Sequence, residues 1–467
     1  MRIAITVAIP GEHLGRLSTV ISETIAEGNE AIEVELQERQ GKIYVDLTIG
    51  ADVANAGPLK ANQDLSNRGV SLFGSGFIVS LEKAQNLGLG RITGAEKYIR
   101  LYMNGRDLTQ SSRSAMVIDC FGLSLKELAK HFPEIYQHLL INVKPERDQN
   151  NRKSRRENWW LFGETNPKLR NQISNLHRYI ATVETAKHRV FTFLGKEILP
   201  DNMLVNIALE DGYYLGVLSS KHHVSWALAT GGILGPTPRY NKTRCFETFP
   251  FPTPTDIQQS QIRDLGERLD AHRKRQQSQY PDLTLTDMYN VLEKERAGEK
   301  LNEKERRIHE QGLIGLLRQL HDELDAAVAE AYGWPVNLPE AEILERLVRL
   351  NAQRAAEEAA GQIRWLRPEY QAPNSAQPGI QGKLMEDEEV AVVGAVVKKA
   401  WPDNLPGQAA ALRDLLASLD QSVELNTLAA AFEGKVTPKR KADIQRLLET
   451  MAALGQAEMN GVGEWKR

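Results

Sequence analysis

Apolar residues come in short runs in the first half of the chain and recur at helical spacing in the second. Arg2–Ala8 (RIAITVA) reads as a strand, Gly11–Ala26 carries a helical pattern, and Ala31–Gln37 and Lys42–Thr48 run apolar or alternate like two more strands. These elements of residues 1–50 are too few to enclose a core and look like the tail of a sheet. Residues 51–254 mix short β-rich runs with short helices. Ser71–Ser80, Ala115–Asp119, Tyr179–Val183, Val190–Leu194 and Met203–Ala208 are strand candidates, and Tyr214–Leu218 leads into a helical pattern. Ser80 is placed to cap a following helix, and another helix is expected from Ser219–Ser220. Strands and helices intermixed in this way predict an α+β fold.

Pro250, Pro252 and Pro254 interrupt the pattern, and residues 255–370 turn helical. Leu313, Leu317, Leu320, Leu324, Ala327 and Ala331 make one apolar stripe, repeated by Ile343, Leu347 and Leu350 in the next helix. Gln371–Gln381 (QAPNSAQPGIQ) reads as flexible and opens a linker over 371–388. In residues 389–467, Ala409–Leu419, Val423–Phe432 and Pro438–Leu454 predict three short helices, and Asn460–Gly461 predicts a hairpin turn, together a winged-helix-like module. Lys439, Arg440, Lys441 and Arg446 fall on or near its third helix, the one that enters the major groove in helix-turn-helix proteins; winged helices also dock proteins.

A chain of 467 residues exceeds one ordinary core, so several domains are expected. No apolar run approaches the roughly 20 residues that span a bilayer, and the N-terminus lacks a basic segment and a cleavage site, so a cytoplasmic protein with no membrane partner is expected. Cys120 and Cys245, the only cysteines, suit a reducing compartment and have no zinc-ligand spacing. The net charge of -3 is unevenly spread. Met1–Lys60 holds 5 basic and 9 acidic side chains, whereas Lys144–Val190 holds 11 basic and 5 acidic. A polyanion binds through local basic surface, so the overall acidity does not argue against nucleic acid.

Catalytic motifs are scarce. Methyl transfer to an exocyclic amine needs a glycine loop for the cofactor and a polar-Pro-Pro-aromatic loop, and no Pro-Pro dipeptide occurs in the chain. Phe73-Gly74-Ser75-Gly76-Phe77 has the look of a glycine loop but leads back into an apolar run, so a tight turn is the better reading. There is no P-loop, no H-E-x-x-H and no Ser/His/Asp set; His222–His223 suit a phosphate contact better than a metal pair. No catalytic, cofactor-binding or metal-binding residue is assigned.

The positive signal is basic. Arg147, Asn151, Arg152, Lys153, Arg155 and Arg156 precede Trp159-Trp160, whose rings are expected to anchor the segment in the core. Arg178, Lys187 and His188 form a second group; Arg239, Asn241, Lys242 and Arg244 form a third. Arg and Lys neutralise phosphates and release counterions, while Asn and Arg also reach base edges. Asn104 and Arg106, in an NGRD segment that reads equally well as a turn, complete the DNA-contact candidates.

Ile99–Gln110 (IRLYMNGRDLTQ), Val143–Glu164, Arg178–Phe191, Leu215–Gly232 and Arg239–Pro252 occur in an order that resembles the target-recognition domain of the MmeI-type family of restriction–modification and phage-defence DNA methyltransferases. Ala331–Pro335 (AYGWP) and Arg364–Gln371 resemble that family's helical C-terminal region, and Asp46–Val53 its exit from the methyltransferase domain. The resemblance implies a remnant of the last methyltransferase strands at 1–50, a target-recognition domain at 51–254, a helical domain at 255–370, the linker and the winged-helix-like module. It further implies sequence-specific recognition of double-stranded DNA within a site-specific N6-adenine methyltransferase, with S-adenosylmethionine bound outside this chain and catalysis completed by a separate methyltransferase half or other defence subunits. On this reading the chain alone is inactive. The alternatives are a complete but divergent S-adenosylmethionine-dependent methyltransferase and a non-enzymatic defence-complex subunit that binds proteins.

Overall fold

The computed structural model describes residues 14–25, 32–43, 49–110, 112–373 and, towards the C-terminus, 401–402, 405–417, 438–453 and scattered positions up to 466. The expected strand at Arg2–Ala8 and most of the expected linker lie outside them. The chain divides into two units, Met1–Ile380 and Gln381–Arg467.

The first unit opens on an antiparallel hairpin of β1 (Gly15–Ile25) and β2 (Ile32–Gly41), with a bulge between Val20 and Ser22. The helix expected at Gly11–Ala26 is therefore a strand. Thr19, Val20, Ile21, Thr24 and Ile25 are β-branched, and such residues favour extended backbone once a partner strand is available.

Eight short strands follow: β3 (Ser66–Arg68), β4 (Ile78–Val79), β5 (Ile99–Met103), β6 (Met116–Ile118), β7 (Arg178–Val183), β8 (Thr192–Gly195), β9 (Ile198–Pro200) and β10 (Leu204–Ile207). They form two sheets, an antiparallel one ordered β3-β10-β7-β8 and a mixed one ordered β4-β6-β5-β9 in which β5 and β9 run parallel. Ser71–Ser80 is mostly irregular. Only Ile78–Val79 is strand, after a 3-10 turn at Ser75–Phe77, and Ser80 caps the next helix by accepting from Lys83 N at 3.1 Å. The sheets meet where Tyr179 Oη donates to the Ile198 carbonyl, and the buried Asp119 carboxylate, at the end of β6, receives Arg170 of the helix Pro167–Ile173 at 2.7 Å.

Tyr214–Leu218, which leads into the helix expected from Ser219–Ser220, is itself helical. Asp211 caps a helix at Gly212–Ser219, and a second follows at Lys221–Thr230. The first of these is apolar all round because it lies within the core, and a short helix of that kind cannot be told from a buried strand by periodicity. Its Gly212 lets the helix Asp256–Gln279 come close: a Cβ on Gly266 would sit 2.2 Å from the Gly212 carbonyl oxygen.

Two cores result. One, from Val70 to Phe162 with Leu199, packs the mixed sheet against the helices Leu125–His131 and Pro133–Asn142. The other continues from the antiparallel sheet through both of the buried helices into Asp256–Gln279, Ile314–Tyr332 and Glu340–Ala359, without a gap at the prolines. Polar ties cross the same line. Asp270 accepts from Thr192 Oγ1 at 2.6 Å, Glu358 from Lys60 N and Ala61 N, and Asn351 Nδ2 donates to the Thr248 carbonyl at 2.7 Å. Leu317, Leu320, Leu324, Ala327 and Ala331 are buried as their spacing predicts, but Leu313 is exposed at a left-handed junction between two helices, φ 44°. Gln371, where flexible chain is expected to begin, closes a short helix and donates to the Ala61 and Gln63 carbonyls.

Besides His272, which is bonded to the Gly312 carbonyl at 3.0 Å, three histidines are buried in this second core. His223 is bonded to Tyr240 Oη at 3.0 Å with Phe249 edge-on at 4.4 Å, His321 is bonded to Tyr289 Oη at 2.8 Å, and His222 lies beside the stacked pair Tyr332 and Trp334 with no partner for either ring nitrogen. Burial pushes each down to about 3. Neither His222 nor His223 is available to a phosphate.

In the second unit, helices Leu405–Ala417 and Pro438–Ala453 and a hairpin pairing Glu458–Met459 with Trp465–Lys466 enclose Leu412, Leu416, Leu428, Phe432, Ile444, Leu448 and Trp465. Most of the expected middle helix and Asn460–Gly461 lie outside the described residues.

Candidate nucleic-acid interface

The basic segment of residues 144–160 folds as a small arch on the mixed-sheet core. Trp159 is buried, and Trp160 Nε1 donates to the Leu123 carbonyl at 3.0 Å. Both rings are anchors, as expected. Arg147 is a third anchor and not a DNA contact. It is 1% exposed, and its Nη2 donates to the Leu72 and Leu161 carbonyls at 2.8 and 3.1 Å. Arg155 lies over the Phe73 ring at 3.7 Å and Arg156 Nη1 donates to the Asn150 carbonyl at 2.6 Å, so both hold the arch in shape. Asn151, Arg152 and Lys153 face outward, Lys153 only loosely paired with Glu157 at 3.6 Å.

A second group surrounds a cleft of about 360 Å³ lined by Asn104, Arg106, Lys187, His188, Asp201 and Met203. The NGRD segment begins a short helix: Asn104 Oδ1 accepts from Arg106 N and Asp107 N at 2.9 and 3.0 Å, while Asp107 Oδ2 accepts from Asn104 N. This reciprocal cap commits Asn104 to the backbone. Asn104→Ala is expected to lower stability by about 1 kcal/mol while leaving the salt dependence of DNA binding unchanged, measured by urea melts and titrations on the same variant. Arg106 is exposed and has no ion pair among the described residues. Lys187 and His188 share Asn290 Oδ1 at 2.8 Å, and Lys187 pairs with Glu293 at 3.0 Å. That ion pair is exposed on both sides, and such pairs contribute little and exchange readily for a phosphate.

The third group centres on Glu184, which follows β7 and is nearly inaccessible. It receives both Arg68 and Arg239, the latter at 2.6 Å. Sequence reasoning misses Arg68, which stands alone in SNRGV with no basic neighbour; its place at the end of β3 beside Arg239 is purely tertiary. Arg239 ends a hairpin of β11 (Gly232–Leu234) and β12 (Thr237–Arg239). The residues beyond it serve the fold. Asn241 Oδ1 caps the next turn by accepting from Thr243 N at 3.1 Å, Lys242 pairs with Glu247 at 3.0 Å, and Arg244 Nη2 donates to the Ala54 and Val53 carbonyls. Arg178 is placed apart. It starts β7, six residues and about 20 Å from Glu184, where it pairs with Glu267 and stacks on Phe193 at 3.7 Å.

The outward-facing set is therefore Arg68, Arg106, Asn151, Arg152, Lys153, Lys187, His188 and Arg239. Arg68 and Phe73, the ring beneath Arg155, are five residues apart, so the arch and the Glu184 group lie within about 18 Å of one another along that segment. One half-turn of duplex covers about that length.

The glycine turn at Phe73–Phe77 leaves no space for a nucleoside. A Cβ on Gly76 would lie 2.3 Å from the Asn142 carbonyl oxygen, and His138 Nε2 is bonded to the Gly76 carbonyl at 3.0 Å, so the Phe73–Phe77 glycines are a packed turn and do not fit S-adenosylmethionine. Among the described residues no three His, Cys, Asp or Glu side chains converge as metal ligands. Both cysteines are buried, and burial raises their thiols.

Residues 60–253 match the family described as MmeI, target recognition domain. The fold is that of a solved structure titled "Structure of Type IIL restriction-modification enzyme MmeI in complex with DNA has implications for engineering of new specificities": TM-score 0.52, 18% identity, covering 69% of this chain and 40% of that one. The chain thus spans less than half the length of the MmeI chain it matches. No curated protein matches it.

Proposed function

With an MmeI-type target-recognition domain at residues 60–253, the chain is, we propose, the DNA-specificity part of a site-specific N6-adenine DNA methyltransferase of a restriction–modification or phage-defence system. The observation that carries this reading is the set of exposed cations within the matched domain. Arg152, Lys153 and Lys187 are placed to neutralise phosphates, and Arg106, Arg239 and Asn151 carry the donor geometry that reads base edges. Phosphate contacts fix register, and base contacts select sequence. Methyl transfer from S-adenosylmethionine belongs to a catalytic half outside these residues, in keeping with the lack of a Pro-Pro loop and with a glycine turn packed against the end of the helix Pro133–Asn142. No helix among the described residues is long and apolar enough to cross a membrane, and we place the protein in the cytoplasm, where its DNA is.

The test is titration of the chain with random-sequence duplexes between about 50 and 200 mM salt. The expected result is a log–log slope of about -0.9 for each phosphate engaged. Absence of binding, or binding without salt dependence, overturns the reading. Incubation with radiolabelled S-adenosylmethionine and DNA is expected to transfer no methyl group unless a catalytic half is added. Transfer by the chain alone would overturn the division of labour.

A further inference from the structure

The hairpin of β11 and β12 is short and unusually apolar at its tip. Gly232 pairs with Arg239, Ile233 with Pro238 and Leu234 with Thr237, leaving Gly235-Pro236 as a two-residue turn with Gly235 at φ 61°. Successive residues of a strand point to opposite faces of a ribbon. A ribbon lying flat on the body would therefore bury either Ile233 or Leu234. Neither is buried: they are 77% and 59% exposed, and a Cβ added at Gly232 or Gly235 would meet nothing within 4 Å. Both faces stand clear.

The stem, in contrast, is fixed. Ala186 N donates to the Pro238 carbonyl, Tyr240 N donates to the Glu184 carbonyl at 2.6 Å, and Arg239 is held by Glu184. Pro236 and Pro238 lock φ along one strand, so the tip is stiff as well as apolar. The Glu184 carboxylate at the stem is nearly inaccessible and is paired with both Arg68 and Arg239. No Asp or Glu occurs from Gly212 to Phe246, a stretch that holds Lys221, Arg239, Lys242 and Arg244. A stiff, carboxylate-free ribbon with a guanidinium at its base suits a polyanion more than an acidic or mixed protein surface.

The major groove admits a two-stranded ribbon, and the apolar group it displays is the thymine methyl. From this we infer that the hairpin enters the major groove tip first, with Ile233 and Leu234 against thymine methyl groups and Arg239 following at the groove edge. A ribbon lying flat in the groove would need one polar and one apolar face, whereas tip-first entry uses both apolar faces. The inference rests on the DNA-recognition reading above and adds to it which residues select thymine.

The experiment takes the full chain and a random-sequence duplex library, recovers the enriched sequence, and replaces each thymine in it by uracil, which deletes only the methyl. The wild type is expected to lose about fourfold in affinity at one or two thymines, the worth of one buried methyl. The Ile233→Ala, Leu234→Ala double variant is expected to lose nothing further at those positions, with an unchanged salt slope and an unchanged thermal melt, since both side chains are exposed. Indifference of the wild type to every replacement overturns the inference, and so does uracil sensitivity that persists in the variant. Loss of self-association in the variant, with thymine discrimination intact, would overturn it in favour of a protein-docking tip. Failure of the chain to bind or enrich any duplex would remove the DNA-recognition reading itself, a result separable from binding without methyl dependence.

Discussion

Lowering the pH from about 7.5 to about 5 is expected to remove roughly 5 kcal/mol of the first unit's stability. His222, His223 and His321 are neutral in the fold, pushed down to about 3 by burial, whereas in the unfolded chain an imidazole titrates near 6.5. The unfolded state therefore takes up protons first. The stability that the neutral rings preserve is complete above about 6.5 and is lost as the pH falls below it, at about 1.4 kcal/mol per unit for each ring. Asp325 acts in the opposite sense. Burial pushes its carboxyl up to about 6, so acidification below that value returns about one such increment. Three rings outweigh one carboxyl. Since whole domains are stable by only about 5–15 kcal/mol, the unit is expected to approach unfolding near pH 5. Urea midpoints across this range check the point, and a flat profile would refute it. His222→Leu, which replaces a ring with two unpartnered nitrogens by hydrocarbon, is expected to remove about a third of the slope.

The largest effect on binding is expected from the exposed cations. Changing Arg106, Arg152 and Lys153 together to glutamate is expected to weaken binding to duplex DNA by about 10²- to 10³-fold and to reduce the salt slope by about 2 to 3. The three side chains face solvent, so the fold is expected to melt as before. Arg147→Ala, Arg178→Ala and Arg244→Ala provide the contrast. Each removes hydrogen bonds that hold one segment to another, so stability falls while the salt slope of the folded protein stays the same. Equal loss of slope in the two groups would show that exposure does not distinguish contacts from struts.

This contrast also marks how far the sequence could be read. The clusters of Arg, Lys and Asn are visible in one dimension, and so is the anchoring role of the tryptophans. What one dimension hides is which guanidinium in a run such as KPERDQNNRKSRR turns inward. Arg147 does so because its helix packs against the Phe77 core, a relation that no local spacing encodes. Arg68 is hidden for the converse reason: its partner Glu184, which it shares with Arg239, comes from a segment more than a hundred residues away. The helical stripes of 255–370 and strands such as Tyr179–Val183 were legible because periodicity and packing agree there. Gly11–Ala26 has a helical pattern yet pairs as a strand, and a helix already forms at Gly212–Ser219, ahead of the one expected from Ser219–Ser220, because apolar spacing is ambiguous there and a distant partner decides the outcome, a second strand in one case and a glycine-lined helix crossing in the other.

The core that runs without interruption from the antiparallel sheet into the helices beyond Pro254 bears on how such a region could be exchanged between proteins. Ile262, Leu265 and Leu269 cover the Gly212–Ser219 helix, and Asp270 and Glu358 supply acceptors to backbone and hydroxyl groups of the recognition segment. A transplant cut at the prolines would carry all the outward-facing cations, yet it would arrive with an uncovered apolar face and orphaned donors. The piece that can be moved intact is residues 49–373, so the portable module is larger than the stretch proposed to touch DNA.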